Sequence, residues 1–419
     1  MPGLIISAPS SACGKTTLTL GLLRALKIRG VRIRSAKSGP DYIDSRFHAA
    51  ASGTECFNLD AWAMDQDTIN SLAAGPETLL IEGAMGLFDG APPDGKGATA
   101  DLARILGFPV VLILDVSHQA QSAAAIVQGF KTLDSTIDIA GLILNKVGSP
   151  RHDRLVREAL EPFKIPILGS ILRQQHLKTP SRHLGLIQAA EHPNLDAFLN
   201  QVADVIEKSI NIEALIELAT DQINPSKTAT VLPPPAQRIS IASDTAFAFA
   251  YPHILQGWHA QGAEIQTFSP LANEAPPPCD LAFLPGGYPE LYAGTLAANK
   301  TFLNGLRSAP AIYGECGGYM TLGEILIDAD GIRHKMAGLL KLETSFATRK
   351  LHLGYRNLRP NGGLWKTSMK AHEFHFAMTL KALGKSLFEA SDAEGVKLPS
   401  MGLQNGAISG SFAHIIAPV

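Results

Sequence analysis

Two stretches of this chain combine residue types at spacings that could do chemistry. The first is Pro9-Ser10-Ser11-Ala12-Cys13-Gly14-Lys15-Thr16-Thr17, placed between the apolar run Leu4–Ala8 and an amphipathic segment. A Gly-Lys-Thr turn between a strand and a helix offers phosphates a cradle of backbone N–H groups, a helix N-terminus and a lysine for the terminal pair. Ser11, Cys13, Gly14, Lys15, Thr16 and Thr17 are therefore expected to bind ATP, with the Thr16 hydroxyl on Mg²⁺. One position departs from G-x-x-x-x-G-K-[ST]: the first glycine falls on Pro9, so the loop starts with a fixed φ. Without the strand and the helix, the same triplet would read as an ordinary helix start. The second stretch is Tyr313-Gly314-Glu315-Cys316-Gly317-Gly318-Tyr319. G-x-C-x-G after an apolar strand and before a helix is a nucleophile elbow, whose small flanking residues allow a strained turn that presents a thiol. The alternative for Cys316 is an inert buried thiol.

Other residues could complete these sites. Glu82 follows the strand Thr78–Ile81, and carboxylates at strand C-terminal ends sit where open α/β sheets bind ligands. Lys37-Ser38-Gly39-Pro40-Asp41-Tyr42-Ile43-Asp44 follows another strand. It offers a cation, a phenol and two acids, with Asp41 and Asp44 on one face if the segment is a helical turn. Lys37, Asp41, Tyr42 and Asp44 are candidates for substrate or phosphate, and Thr16, Asp41 and Glu82 for Mg²⁺. Helix caps or solvated loop charges are the alternatives for the acids. Asn145 ends the strand Leu142–Leu144 and is a candidate for adenine, or simply a turn asparagine. For the thiol, Gly287 in Leu284-Pro285-Gly286-Gly287-Tyr288-Pro289 and Gly317 could supply the two oxyanion N–H groups. Of thirteen histidines, His414 lies at the end of a β-like segment and is the candidate base. His372 and His375 form an H-x-x-H pair that lacks a third metal ligand in sequence.

The elements that must hold these groups follow a parallel α/β pattern. Strands are expected at Leu4–Ala8, Val31–Ala36, Thr78–Ile81, Val110–Leu114, Ala140–Leu144 and Pro166–Gly169, with helices at Lys15–Arg29 and Gln119–Leu133. Thr220–Gln237, with Pro225 and Pro233-Pro234-Pro235, reads as a semi-rigid linker. A new α/β series follows at Arg238–Ala242, Glu264–Phe268, Leu281–Leu284 and Ala311–Tyr313, and the last third reads as strand and loop. The expected domains are thus 1–219 and 238–419.

Composition narrows the function classes. With 419 residues, two domains are the default, and 46% hydrophobic against 18% charged residues argues for buried cores rather than disorder. The net charge of -2 provides no field to gather nucleic acid or an anionic membrane. Four cysteines without a C-x-x-C pair argue against a disulfide scaffold or structural zinc and for a reducing compartment. No basic leader opens the chain and no apolar run is long enough to span a membrane, so a cytoplasmic enzyme is expected.

Longer runs carry a family resemblance over essentially the whole chain: KSGPDYID (37–44), FNLDAWAM (57–64), EGAMGLFDG (82–90), FLPGGYPE (283–290), YGECGGYM (313–320), TSFATRKLHLGYR (344–356), AHEFHF (371–376) and SGSFAH (409–414). The chain resembles the cobyrinic acid a,c-diamide synthases, and among them those acting on hydrogenobyrinic acid. The resemblance implies an N-terminal P-loop domain similar to dethiobiotin synthetase and a C-terminal domain similar to class I glutamine amidotransferases. It implies a carbon–nitrogen ligase using ATP, L-glutamine and Mg²⁺ to amidate the a- and c-acetates of hydrogenobyrinic acid, or of cobyrinic acid, in cobalamin biosynthesis. Cys316 would be the glutaminase nucleophile and His414 its base, and a homodimer is expected. Many class I relatives carry glutamate two residues after the histidine, where this chain has Ile416; Glu373 is the substitute suggested by the sequence. The sequence leaves two alternatives. One is cobyric acid synthase-type amidation; the other is a ParA/MinD-type ATPase with an idle amidotransferase domain, although the second P-loop lysine usual in those proteins is absent.

Overall fold

The computed structural model describes residues 2–173, 181–182, 185–186, 188–221 and 229–419. The chain divides into two compact units, Met1–Ala229 and Thr230–Val419. The first is built on a parallel sheet of β1 (Pro2–Ser7), β2 (Ile33–Ser38), β3 (Cys56–Leu59), β4 (Thr78–Glu82), β5 (Val110–Asp115), β6 (Ile139–Val147) and β7 (Ile167–Leu172), in the order β3-β2-β4-β1-β5-β6-β7. From β1 the chain passes to β2 and the edge strand β3, returns to β4 between β2 and β1, and then runs outward through β5, β6 and β7, so the strand order reverses beside β1. The crevice at the C-terminal end of β1 is where such sheets bind ligands. Val110–Leu114 is buried at every residue, as expected for a strand covered on both faces.

Helix α1 (Lys15–Ile28) leaves β1 through Gly14, whose φ of 89° suits glycine. It packs closely on the helix Leu195–Ser209. A Cβ on Gly21 would lie 2.6 Å from Ile206 and 2.7 Å from Val202, so only glycine lets the two helices approach this far. Helix α2 (Asp44–Ser52) follows β2 and ends on Gly53 in the left-handed conformation.

The boundaries differ from the sequence expectation in informative places. β3 is an added edge strand, only four residues long and carrying the polar Asn58, so no apolar run marks it. The helix expected from Gln119 begins at Ala123, because residues 117–122 form a turn at the end of β5. The proposed linker starts too early: Thr220–Asp221 is a short strand paired antiparallel with Pro2–Gly3 of β1. Residues 222–228, including Pro225, lie outside the described residues; 229–237 has no regular structure, and Leu232 within it is buried.

In the second unit the strands Glu264–Phe268, Arg238–Ala242, Leu281–Leu284, Ile312–Glu315 and Ile408–Ser411 lie side by side, all parallel. The sheet continues antiparallel through Lys397–Asn405, Lys385–Ser391, His352–Pro360, Met369–His375 and Ala413–Pro418. Leu281–Leu284 and Ile312–Glu315 are buried throughout, and both deliver candidate residues at their C-terminal ends.

Candidate active sites

In the first unit, four loops at the C-terminal ends of β1, β2, β4 and β6 converge. The Lys15 ammonium is held over the turn by the carbonyl oxygens of Ser10, at 3.1 Å, and Met85. Burial lowers its pKa from the usual lysine value, an effect that Glu82 opposes. Thr16 Oγ1 sits 2.7 Å from Glu82 Oε1 and 3.3 Å from Asp44 Oδ2. Lys37 donates to the same two carboxylates, at 2.7 Å to Glu82 and 2.8 Å to Asp44. Burial alone would lower the Lys37 pKa, but Asp44 and Glu82 raise it well above the ordinary value. Glu82 is fully buried, which by itself favours the neutral acid. Lys37 and His48 outweigh this and hold its carboxyl well below the usual range.

Several candidates are placed differently from the sequence expectation. Asp41 does not share the Thr16 cluster: its Oδ1 accepts the N–H groups of Ile43 and Asp44, both at 2.8 Å, and so shapes the start of α2. Burial, and then Asp44, push its carboxyl up to about 6. Asp44, the first residue of α2, takes the place expected for Asp41, its carboxylate reaching Thr16 and Lys37. Tyr42 is buried, with its carbonyl accepting from Ser45 Oγ. The Asn145 amide is committed to the loop: Nδ2 donates to Cys13 O at 2.8 Å, and Oδ1 accepts Lys146 N–H at 2.9 Å. Lys146 Nζ also reaches Ala12 O at 3.2 Å, so β6 pins two carbonyls of the phosphate turn. Ser11 is exposed, while Cys13 is buried with its sulfur 3.4 Å from Ser10 Oγ. A cavity of 520 Å³ opens beside Gly14 and Thr17, lined also by Asn145, Lys146, Arg173 and Val205.

Nothing in the sequence pointed to His48, yet its Nε2 lies 2.5 Å from Glu82 Oε2 and both side chains are fully buried. Burial alone would lower the His48 pKa, but Glu82 and Cys56 raise it to about 10, a buried imidazolium. The donors of Thr16, Asp44 and Glu82 are all oxygen, the chemistry that Mg²⁺ prefers.

In the second unit, Cys316 sits between the strand Ile312–Glu315 and the short helix Gly317–Leu322 with φ 44° and ψ -99°, a strained conformation for a non-glycine residue. Its N–H donates to Ser411 O at 2.8 Å. The flanking glycines answer to close approach: a Cβ on Gly318 would lie 1.9 Å from Leu284 O. A Cβ on Gly317 would lie 3.1 Å from Gly287 N, so the two proposed oxyanion donors are neighbours. Burial, followed by Glu290 and Glu373, raises the Cys316 thiol pKa well above the ordinary value, against the Gly317 N–H.

His414 is fully buried on the last strand, packed so closely on Gly286 that a Cβ there would come within 2.2 Å of its Cε1. Burial, His372 and His375 push its imidazole down to about 3. His372 stands opposite it in the sheet register. Glu373, the third member suggested by the sequence, is engaged elsewhere: it bonds His375 at 2.9 Å and the Arg356 guanidinium at 2.8 Å. Among the described residues, Glu315 brings a carboxylate close to His414, with Oε2 3.7 Å from Nδ1, while Glu373 acts on the ring at longer range. The H-x-x-H pair does gain a third donor in space, since His352, Glu373 and His375 place ligand atoms within 4.8 Å of one another. Arg356 already holds that glutamate, and a cation would have to compete with it.

Residues 4–187 match the family described as CobQ/CobB/MinD/ParA nucleotide binding domain, and residues 238–418 match the CobB/CobQ-like glutamine amidotransferase domain. The chain is similar to proteins named hydrogenobyrinate a,c-diamide synthase. It is 52% identical to that of Brucella abortus biovar 1 over 430 residues, 99% of this chain and 98% of the relative. Its identity is 48% to those of Mesorhizobium japonicum, over 431 residues, and Rhodobacter capsulatus, over 430, each covering 99% of this chain and 98% of the relative.

Proposed function

Because the chain belongs to the hydrogenobyrinate a,c-diamide synthase family, we propose that it amidates the a- and c-acetate carboxylates of hydrogenobyrinic acid, using ATP and glutamine. It is a glutamine-dependent carbon–nitrogen ligase of cobalamin biosynthesis. The observation that carries this reading is identity of 48–52% extending through both domains of relatives bearing that name. A switching ATPase would need no working thiol, whereas these relatives carry the synthase name and match this chain over 98% of their length.

A carboxylate resists amidation because oxide would have to leave. Transfer of the ATP γ-phosphoryl to a carboxylate oxygen gives an acyl phosphate and ADP; ammonia then attacks the carbonyl carbon and expels phosphate. In this reading Lys15 neutralises charge on the transferred group, and the N–H groups of the turn from Ser11 to Thr17 cradle the phosphates. Thr16, Asp44 and Glu82 would hold Mg²⁺, which when bound supplies charge neutralisation to the phosphate oxygens. Asp41 and His48 support that set by orienting Asp44 and Glu82, and Lys37 keeps the two acids together. The cavity beside Gly14 is the proposed nucleoside pocket, with Asn145 bracing its wall rather than reading the base.

At the thiol, His414 takes the Cys316 proton and the thiolate attacks the glutamine amide carbon. The N–H groups of Gly287 and Gly317 receive the developing oxyanion. Ammonia leaves with the proton from His414, and water hydrolyses the thioester to glutamate. The elbow geometry, the close approach of Gly317 to Gly287 and the burial of His414 support these roles.

The deciding experiment incubates the protein with ATP, Mg²⁺ and glutamine, and with hydrogenobyrinic acid or its cobalt-bearing counterpart in separate arms. Two successive hydroxyl-to-amine exchanges, seen by mass on the metal-free substrate, are expected. Preference for the cobalt form would reassign the substrate, and ATP hydrolysis without amidation would overturn the reading. Among the described residues no helix is long and apolar enough to cross a membrane, and the four cysteines are free. A cytoplasmic homodimer is the proposed setting, with light scattering as the check on assembly.

A further inference from the structure

The thiol site has a buried base but lacks the glutamate that usually follows it by two residues, since Ile416 stands there. We propose that Glu315, the residue directly before the nucleophile, is the positioning carboxylate for His414. The inference rests on the glutaminase reading given above.

Glu315 ends the strand Ile312–Glu315 and is buried, with 5% of its surface exposed. Its two oxygens have different duties. Oε1 accepts the N–H of Ile415 at 3.1 Å, which ties the carboxylate to the strand that carries the histidine. Oε2 faces the ring, 3.7 Å from Nδ1. At 3.7 Å this is an electrostatic contact rather than a hydrogen bond, and an anionic oxygen beside Nδ1 favours the tautomer with its proton there, leaving Nε2 to receive one. The same short segment also accepts the Cys316 N–H through Ser411 O. Residues 411–415 therefore hold the nucleophile by its backbone and the base by its orienting acid. Glu373 cannot serve both Arg356 and His414 without giving up its present bonds.

Proton count gives the pair a distinctive behaviour. Nε2 acts as a base when the ring's single proton sits on Nδ1, a state that an ionised Glu315 favours. Burial pushes Glu315 up to about 8, against the Ile415 N–H and the Tyr313 hydroxyl. Burial together with His372 and His375 holds His414 down, while a hydrogen bond to the Phe249 backbone and the charge of Glu373, on the same strand as those histidines, act oppositely. The charges of Glu290, Glu373 and Glu315 disfavour the thiolate, and that of Arg356 disfavours protonation of His372. Ionisation of Glu315, rather than of an isolated imidazolium, would then set the acid side of the glutaminase profile.

The test is Glu315→Gln, which keeps the volume and an acceptor for the Ile415 N–H but removes the ionisable group. Glutamate release is measured from about pH 5 to 9, with synthesis driven by ammonium as the check on folding. The expected result is a loss of roughly 10- to 100-fold in glutaminase kcat/KM, carried mainly by kcat. The acid limb should move to lower pH, Glu315→Asp should restore part of the rate and the original limb, and ammonium-driven synthesis should persist. Three results would overturn the proposal: a wild-type rate and limb in Glu315→Gln, loss of both the glutamine and ammonium reactions, or a limb shift produced by Glu373→Gln instead. Cys316→Ala in the same assay keeps the two ideas apart. If it still hydrolyses glutamine, the thiol reading fails whatever Glu315 does.

Discussion

In the proposed mechanism, separate half-reactions depend on two single side chains, Lys15 and His414. Replacing Lys15 with alanine removes the charge closest to the transferred phosphoryl, so synthesis should fall by about 10²-fold or more from glutamine and ammonium alike. Product mass with each nitrogen source is the readout. Asp44→Asn or Glu82→Gln should raise the Mg²⁺ concentration needed for half-maximal synthesis, whereas Asp41→Asn should disturb α2 first, because its oxygen caps two backbone amides. A magnesium titration unchanged in the Asp44 and Glu82 variants would remove them from the metal set. His414→Ala should lower thioester formation by roughly 10²- to 10⁴-fold and leave ATP binding intact. His372 and His375 are the controls, since both are buried near it; glutaminase activity surviving in the His414 variant but not in a control would move the base.

Turns at strand ends do most of the positioning, and they work through close approach. Gly286 lies under the His414 ring, where an added methyl would stand 2.2 Å from Cε1. Gly286→Ala should therefore displace the base and abolish glutamine hydrolysis while ammonium still drives synthesis, by product mass. Unimpaired glutaminase activity would show that the ring moves aside freely. On the first unit, the strand β6 braces the phosphate turn through Asn145 and Lys146. Asn145→Ala should weaken nucleotide binding by loosening that turn, seen by calorimetry with an ATP analogue, with no change in preference between adenine and guanine nucleotides. A changed base preference would return Asn145 to the nucleobase.

Across the whole molecule, the proposed division of labour predicts that the thiol supplies only ammonia. Cys316→Ala should lose glutamine-dependent synthesis and regain amidation of both side chains with ammonium salts. Free ammonia is a small fraction of the ammonium pool near neutrality, so this rescue should grow as pH rises. Alanine is smaller than cysteine and removes a thiol whose burial favours the neutral form, so the folded state should tolerate it. Full glutamine-dependent activity in the variant would discard the thiol mechanism. No rescue in a folded variant would mean that the cysteine also serves the synthetase chemistry.

Read by itself, the sequence determined the parallel α/β character of the first unit, the Lys15 turn, the Cys316 elbow and the family. These signals are local: an apolar run, a glycine next to a reactive residue, or a motif whose spacing is set by one turn. Short β3 escaped detection because four residues with a buried polar side chain have no periodicity to read. Tertiary structure alone decided which acids meet which partners. Asp41 and Asp44 are equally acidic in sequence, but the first is spent on capping α2 and only the second reaches Thr16. Glu373 lies between two histidines in sequence, yet Arg356 from the neighbouring strand claims it. Glu315 and His48 acquire partners far along the chain, on His414 and Glu82. A carboxylate's role depends on its desolvation and on the charges folded around it, and neither is written in its own neighbours.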